Sequence, residues 1–545
     1  MEALWYRNAI IYQVDVSVFR DGNNDGWGDL PGLTAHLEYL RGLGVTGLWL
    51  TPFYQSPFRD HGYDVSDHLA VDPRFGNLAD MVALLEKAEE LGIRVMADLV
   101  VQHTSDQHRW FQEARRDRNS PYRDYYIWSD EPVPTEVKPM FPTVEDSVWT
   151  WDEEAGQYYR HIFYSHEPDL NLANPAVRRE IEEIMSFWLR LGVSGFRVDA
   201  ASHMIEGARE ADPRDDGFWI MNDLRDVATL RRSDAVLLGE VDVPPAEYAR
   251  YFGEGHRLTL VSNFWLNNFL FLALAREVAE PICRALANQP VPPGRSQYAV
   301  WVRNHDELDL ERLSDAEREE VMQRFAPEER MRVYGRGIRR RLPPMLEGDQ
   351  RRIEQVHALL FSLPGTPILR YGEEIGMGEN LDLPERHAVR TAMQWSDEPN
   401  GGFSAAPPET LNCHVIDQGE YAYDKVNVYD QTLRDDSLLA RTGKMIRARV
   451  GMPEIGYGEC TVIKVHEPSV LALRHELDGK VVFTFANLSA RDVRISLPGV
   501  ALAELRDVLA DGPYPREERE QGREPVLTLR GYGYRWLRQR PGSAP

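Results

Sequence analysis

The chain has 545 residues, 43% of them hydrophobic, which exceeds one ordinary domain and supplies a substantial core, although an α/β barrel could absorb more than half of it. Its 87 acidic and 62 basic residues give a formal charge of −25, which argues against non-specific binding to nucleic acid or to an anionic membrane surface. No run of about 18 apolar residues is present, the opening MEALWYRNAI lacks a basic region followed by an apolar core, and Cys283, Cys413 and Cys460 match no zinc spacing, so a cytoplasmic chain with reduced thiols is expected.

The first predicted strand, IIYQVDV (10–16), runs into the loop DGNNDGWGD (21–29). Asp21, Asn23 and Asp25 alternate and Gly26 stands sixth, as in an EF-hand, but Gly32 occupies the twelfth position where a bidentate Glu is required. Further short β-branched runs follow at TGLWL (46–50), RVMADLVV (94–101), GFRVD (195–199), AVLLGE (235–240), TLVSNF (259–264), YAVWVRN (298–304) and TPILRYG (366–372). Amphipathic helical patterns lie between them, among them 33–44, 78–92 and 176–192. Strands alternating with helices in this way describe a (β/α)8 barrel, whose catalytic groups gather at the C-terminal strand ends. An open doubly wound sheet fits less well, because no Gly-rich phosphate turn follows the first strand.

Two gaps are too long for simple connections. Residues 104–171 carry aromatic loops such as DYYIWSD (124–130) and SVWTWDEEAGQYYRHIFY (147–164), and read as an inserted domain between a first barrel part, 1–103, and a second, 172–440. Residues 307–345 are helical in pattern and heavily charged, and read as a lid over the barrel mouth. From about 441 to 545 short strands and turns suggest a C-terminal β-sandwich.

Acids recur where the predicted strands finish: Asp98, Asp199, Glu240 and Asp306. Brought to one mouth, they suit cleavage of a glycosidic bond with retention, which needs a carboxylate nucleophile and a protonated carboxylic acid roughly 5–5.5 Å apart. Crowded carboxylates raise the pKa of whichever is most buried, which would supply the acid. Arg197, two residues before Asp199, points to the same strand face and can hold it ionised.

These residues carry a family resemblance. DLVVQH (98–103), GFRVDAASH (195–203), GEV (239–241) and NHD (304–306) resemble the four main motifs of the α-amylase family, glycoside hydrolase family 13, and GVTGLWLTP (44–52), EPDLN (167–171) and GTPILRYGEE (365–374) resemble its auxiliary motifs. The resemblance implies a barrel with an inserted B domain and a C-terminal β-domain. It also implies Asp199 as nucleophile, Glu240 as general acid/base and Asp306 as a third acid gripping sugar hydroxyls. His103, Arg197 and His305 would line the same glucose subsite, with Tyr63 stacked beneath the ring. RDHGYDVSDH (59–68) and RTAMQW (390–395) resemble oligosaccharide-acting members, in which a pair like Asp60–Arg390 closes the pocket behind one glucose unit.

The same resemblance implies a calcium-binding loop, with side-chain oxygens from Asp21, Asn23, Asp25 and Asp29 and the carbonyl of Trp27. It implies a second calcium at Asp169, where Gln102 replaces the usual Asn; no organic cofactor is implied. Residues 103–130, 147–163 and 330–354 resemble trehalose synthases, which interconvert maltose and trehalose by moving one glucosyl unit. The expected activity is therefore a retaining, exo-acting isomerase of small α-glucosides with some hydrolysis. The alternatives are an exo-α-glucosidase or α-glucosyltransferase with another acceptor, and, from a different class, a non-catalytic carbohydrate-binding relative. Glu167, Arg370 and Ala392 depart from the pattern, as do the residues around Asp199 and Glu240 in DAASH and GEVDVPP, which leaves the acceptor open between glucose, water and another molecule. A homo-oligomer is likewise left open.

Overall fold

The computed structural model describes residues 4–135, 137–211, 216–497, 505–514 and 526–539. Eight parallel strands close into a barrel: β1 (Ile11–Val14), β2 (Gly47–Leu50), β3 (Arg94–Leu99), β4 (Gly195–Val198), β5 (Val236–Gly239), β6 (Leu260–Ser262), β7 (Gln297–Trp301) and β8 (Thr366–Arg370). Each pairs with its neighbours in chain order, and β8 returns to β1 with Ile368 opposite Ile11. All eight coincide with predicted runs; seven of the predicted ends overshoot by one to three residues, and the second run ends with its strand at Leu50.

Burial on both faces explains why the strands read as nearly continuous apolar runs. Ile11, Trp49, Met96, Leu238, Leu260, Trp301 and Ile368 fill the barrel interior, while Tyr12, Val14, Leu48 and Leu50 belong to the larger core shared with the surrounding helices. Helices Leu78–Glu90 and Pro175–Leu191 begin at Asn77 and Asn174, whose side-chain oxygens accept from the first free amides. Gly195 opens β4 at φ +155°, and a Cβ there would meet the Val236 carbonyl oxygen at 2.2 Å, so only glycine lets β4 and β5 approach.

Two insertions rise above the mouth. After β3, an antiparallel sheet joins Trp128–Ser129, Gln157–Arg160 and Trp149–Asp152. After β7, the charged segment expected to be helical is α-helical at Asp315–Phe325 and Leu342–Met345, with a 3-10 turn at Glu329–Met331. It also forms a small antiparallel ribbon of Leu308–Asp309, Gly337–Ile338 and Arg332–Val333. Positive φ at Tyr334 (55°) and Gly335 (71°) turns the chain there, which breaks the helical pattern. The insertions touch through aromatic rings: Phe141 lies 4.4 Å from Tyr164 and 4.9 Å from Tyr334, centroid to centroid.

At the C-terminal end, helix Leu438–Val450 still packs on the barrel, with Thr442 Oγ1 3.1 Å from His357 Nδ1. Beyond it lie a five-stranded antiparallel sheet and a two-stranded one, Val493–Ser496 with Val526–Leu529, around a separate core that includes Phe483, Phe485, Leu527 and Leu529. Among the described residues no helix is long and apolar enough to cross a membrane.

Candidate active site

Parallel strands in a barrel all end at the same face, so residues far apart in sequence meet there. Asp199 follows β4, Glu240 follows β5, and Asp306 lies beyond β7. All three line one pocket, together with Asp60, Tyr63, His103 and Arg386. Arg197, His305 and Arg390 stand directly behind them.

Arg197 is the hub of one half. Its guanidinium bonds Asp199, lies 2.8 Å from Asp98 Oδ1 and 2.6 Å from Glu240 Oε1, and is itself almost wholly buried. Glu240 Oε2 also accepts from the Ala200 amide at 2.9 Å. Three carboxyls around one cation cannot all be charged at low cost in a dry site. Burial, then Glu240 and Asp98, push Asp199 upward against Arg197, and burial pushes Asp98 up to about 6. Ionisation in this cluster is therefore shared, a property of the group rather than of one member.

Asp306 anchors the other half. Its Oδ1 accepts from Arg386 and from Arg390, each at 2.7 Å, and its Oδ2 lies 3.1 Å from His305 Nε2. Burial opposes ionisation, but His305, Arg386, Arg390 and Arg197 outweigh it and hold Asp306 well below the usual carboxylate range. Asp60 lies beside it. Arg390 reaches Asp60 at 3.5 Å, while Arg386 grips both carboxylate oxygens at 3.0 and 3.1 Å. Burial is again overcome, and the two arginines hold Asp60 down to about 2.

Arg386 is thus the principal partner of Asp60, and sequence reasoning missed it. The available signal was its position four residues before Arg390 in ERHAVR, on the short helix Glu385–Val389. Its charge also stacks on Phe141, 4.5 Å from the ring centroid, tying the pocket to the inserted segment above.

Tyr63 also lines the pocket. Its ring stacks on His305 at 5.4 Å and 13°, and its hydroxyl donates to Asp98 Oδ2 at 2.9 Å and lies 2.6 Å from His305 Nε2. His103 Nε2 lies 3.2 Å from the Tyr63 carbonyl oxygen, and burial lowers His103 to about 4, so it is neutral. Met140, Phe141 and Phe163 add apolar surface, and His203, Asp242, Glu307 and Asp309 line the pocket as well.

The loop 21–29 lies apart from these groups. Asp21 accepts from the amides of Asn23, Asn24 and Gly26 and from the Ser404 hydroxyl, at 2.6–3.2 Å. Asp29 accepts from Gly22, Asn23 and Gly32 and caps helix Leu30–Ala35, while Asp25 accepts from Trp27. The donor set is oxygen throughout, as calcium prefers, yet the loop's own amides already hold it in shape. Among the described residues, the group of acids whose oxygens converge within 4.8 Å is Asp242, Asp309 and Glu311.

A model of the alpha amylase catalytic domain matches residues 13–458. The chain is 41% identical over its whole length to a trehalose synthase from Thermus thermophilus, of which it spans only 56%. It is 40% identical to the trehalose synthase/amylase TreS of Mycobacterium tuberculosis, over 98% of this chain and 90% of that one. Among solved structures, the alpha-amylase from H. orenii superposes with a TM-score of 0.80 at 27% identity, covering 98% of this chain and 99% of its own.

Proposed function

The chain belongs to the alpha-amylase family, and from that premise we propose that it is a retaining, exo-acting α-glucoside enzyme that interconverts maltose and trehalose through a covalent glucosyl-enzyme. The exo-acting part is supported by Asp60, Arg386 and Arg390, bonded together beside Asp306, a group that would close the pocket behind one terminal ring. The isomerase part rests on the likeness to trehalose synthases along the whole chain.

In this reading Asp199 attacks the anomeric carbon, and Glu240 gives a proton to the departing glycosidic oxygen. Arg197 keeps both acids oriented, and Asp306 grips hydroxyls of the ring. The released glucose stays beneath the aromatic contact between the two insertions and turns. Glu240 then takes a proton from its anomeric hydroxyl, which attacks the same carbon and frees Asp199. Excluding water through that interval decides between isomerisation and hydrolysis, which is the mechanical purpose of the covering segments.

Maltose incubated with the enzyme and followed by NMR is expected to give trehalose, with glucose as the minor product; glucose alone would sink the isomerase reading. The trehalose synthase/amylase relative supports hydrolysis as the second outcome, and a panel of donors and acceptors separates it from transfer to another molecule. Asp199→Asn is expected to reduce turnover of an aryl α-glucoside by roughly 10⁴-fold or more, since removing a nucleophile abolishes the covalent route. Wild-type turnover in that variant would discard the mechanism.

Calcium at Asp21, Asn23, Asp25, the Trp27 carbonyl and Asp29 belongs to the same reading. Its support is the oxygen-only donor set, and its role would be to stiffen a loop already ordered by amides, outside the chemistry. A cytoplasmic location is supported by three free cysteines.

A further inference from the structure

The junction between the barrel and the inserted domain holds a charge arrangement separate from the reacting acids. The segment returning from the insertion crosses the end of β3. Leu170 donates its amide to the Gln102 carbonyl at 2.9 Å, His103 and Asp169 form an antiparallel bridge, and the Asp169 amide donates to the Arg160 carbonyl at 2.9 Å. Asp169 is 1% exposed and Arg160 5%, and at that depth a carboxylate needs a counter-charge. Asp169 Oδ1 accepts from the Ile162 amide at 3.2 Å, and Oδ2 faces Arg160 Nε at 3.4 Å.

The family resemblance implies a calcium ion here, and the residues present do not fit one. Calcium takes six to eight oxygens. The side-chain oxygens here are that of Gln102 and Asp169 Oδ2, both buried without a hydrogen bond among the described residues, and the second is turned to a guanidinium. A divalent ion within reach of those oxygens would sit close to the Arg160 charge, in surroundings too dry to screen the repulsion.

We propose that Arg160 is a built-in cation that takes the place of a metal ion at this junction and, by holding Asp169, positions His103 and Phe163 on the pocket wall. His103 is fixed through its backbone bridge to Asp169. Phe163 is fixed through His161, whose Nδ1 lies 3.0 Å from the Phe163 carbonyl oxygen, and through contact with the His103 ring at 5.1 Å. Arg160 is thus a positioning residue, and the charge balance it supplies does not depend on the reaction proposed above.

The test compares full-length Arg160→Met and Arg160→Lys with wild type by thermal melting, and by KM and kcat on an aryl α-glucoside. Arg160→Met is expected to lose several degrees of Tm and to raise KM more than it lowers kcat, and Arg160→Lys to recover most of the Tm, because charge matters more than shape. In the double variant Arg160→Met/Gln102→Asn, millimolar calcium chloride is expected to raise Tm beyond any shift it gives wild type. The proposal is overturned by a wild-type Tm in Arg160→Met, by equal losses for Met and Lys, or by no extra calcium response in the double variant. An ion between Gln102 and Asp169 in anomalous scattering from wild-type crystals would also overturn it. The melting and scattering arms need no substrate, so failure of the isomerase reading would leave them intact.

Discussion

The Asp60 side and the Asp242 side of the pocket are both rich in acids, and they treat them in opposite ways. On the Asp60 side two buried arginines hold Asp60 down to about 2 and keep Asp306 well below the ordinary range. On the Asp242 side burial wins: Asp242 is pushed up to about 8 and Glu307 up to about 7, while Asp309 is raised despite Arg336 at 2.7 Å. One wall is therefore a fixed ionic lattice, suited to gripping a single ring in one orientation. The other is a set of acids that burial makes readier to hold a proton, and so to donate as well as accept, suited to a molecule that must be held and still turn. The difference shows that the number of acids is a poor guide to a site, and that their share of nearby guanidinium charge decides what each can do.

Removing Arg386 breaks the contrast most severely. Arg386→Met leaves Asp60 and Asp306 to share Arg390, and truncating one partner of a buried pair typically costs about 3–5 kcal/mol. The kcat/KM for maltose is expected to fall roughly 10²-fold or more, and Arg386→Lys to restore little because one guanidinium nitrogen holds Asp60 while the other holds Asp306, a bridge that needs the planar fork. A mutant within a factor of a few of wild type would show that Arg390 alone forms the wall.

The Asp242 side is sharpened by pH. Because burial raises Asp242 in the folded state, the folded chain holds a proton there that the unfolded chain has released. Its contribution to stability is present below about pH 4 and is lost as pH climbs through about 8. Wild type is therefore expected to lose more Tm between pH 6 and pH 9 than Asp242→Asn, which cannot ionise. Asp60 runs the other way: its contribution is present above about pH 4 and is lost as pH falls through about 2. Parallel Tm curves for wild type and Asp242→Asn would remove the distinction between the two sides.

The smallest effect is expected far from both. Excess chelator should lower Tm by a few degrees at most, with kcat unchanged, because amides and the Ser404 hydroxyl already hold Asp21 and Asp29. An unchanged Tm with no metal in elemental analysis would reject calcium at the loop.

The eight barrel strands and the acids at their ends were legible in the sequence because both follow from local rules. A short apolar run buried on two faces declares a parallel strand, and strand direction alone sends Asp199, Glu240 and Asp306 to one mouth. The switch from helix to ribbon in the charged segment after β7 was less legible, since it turns on the conformation at Tyr334 and Gly335. Partnerships between distant charges were legible only where the resemblance supplied them, as for Asp60 with Arg390. Arg386 meets Asp60 across 326 residues, and Arg160 meets Asp169 only because the inserted chain folds back over the end of β3. The sequence thus determined which chemical groups this protein carries and the face on which the barrel presents them. Tertiary structure alone decided which acid is paired, which has its pKa raised by burial and which cation stands where a metal was expected, because solvation and Coulomb energy depend on distances through space that composition and spacing do not encode.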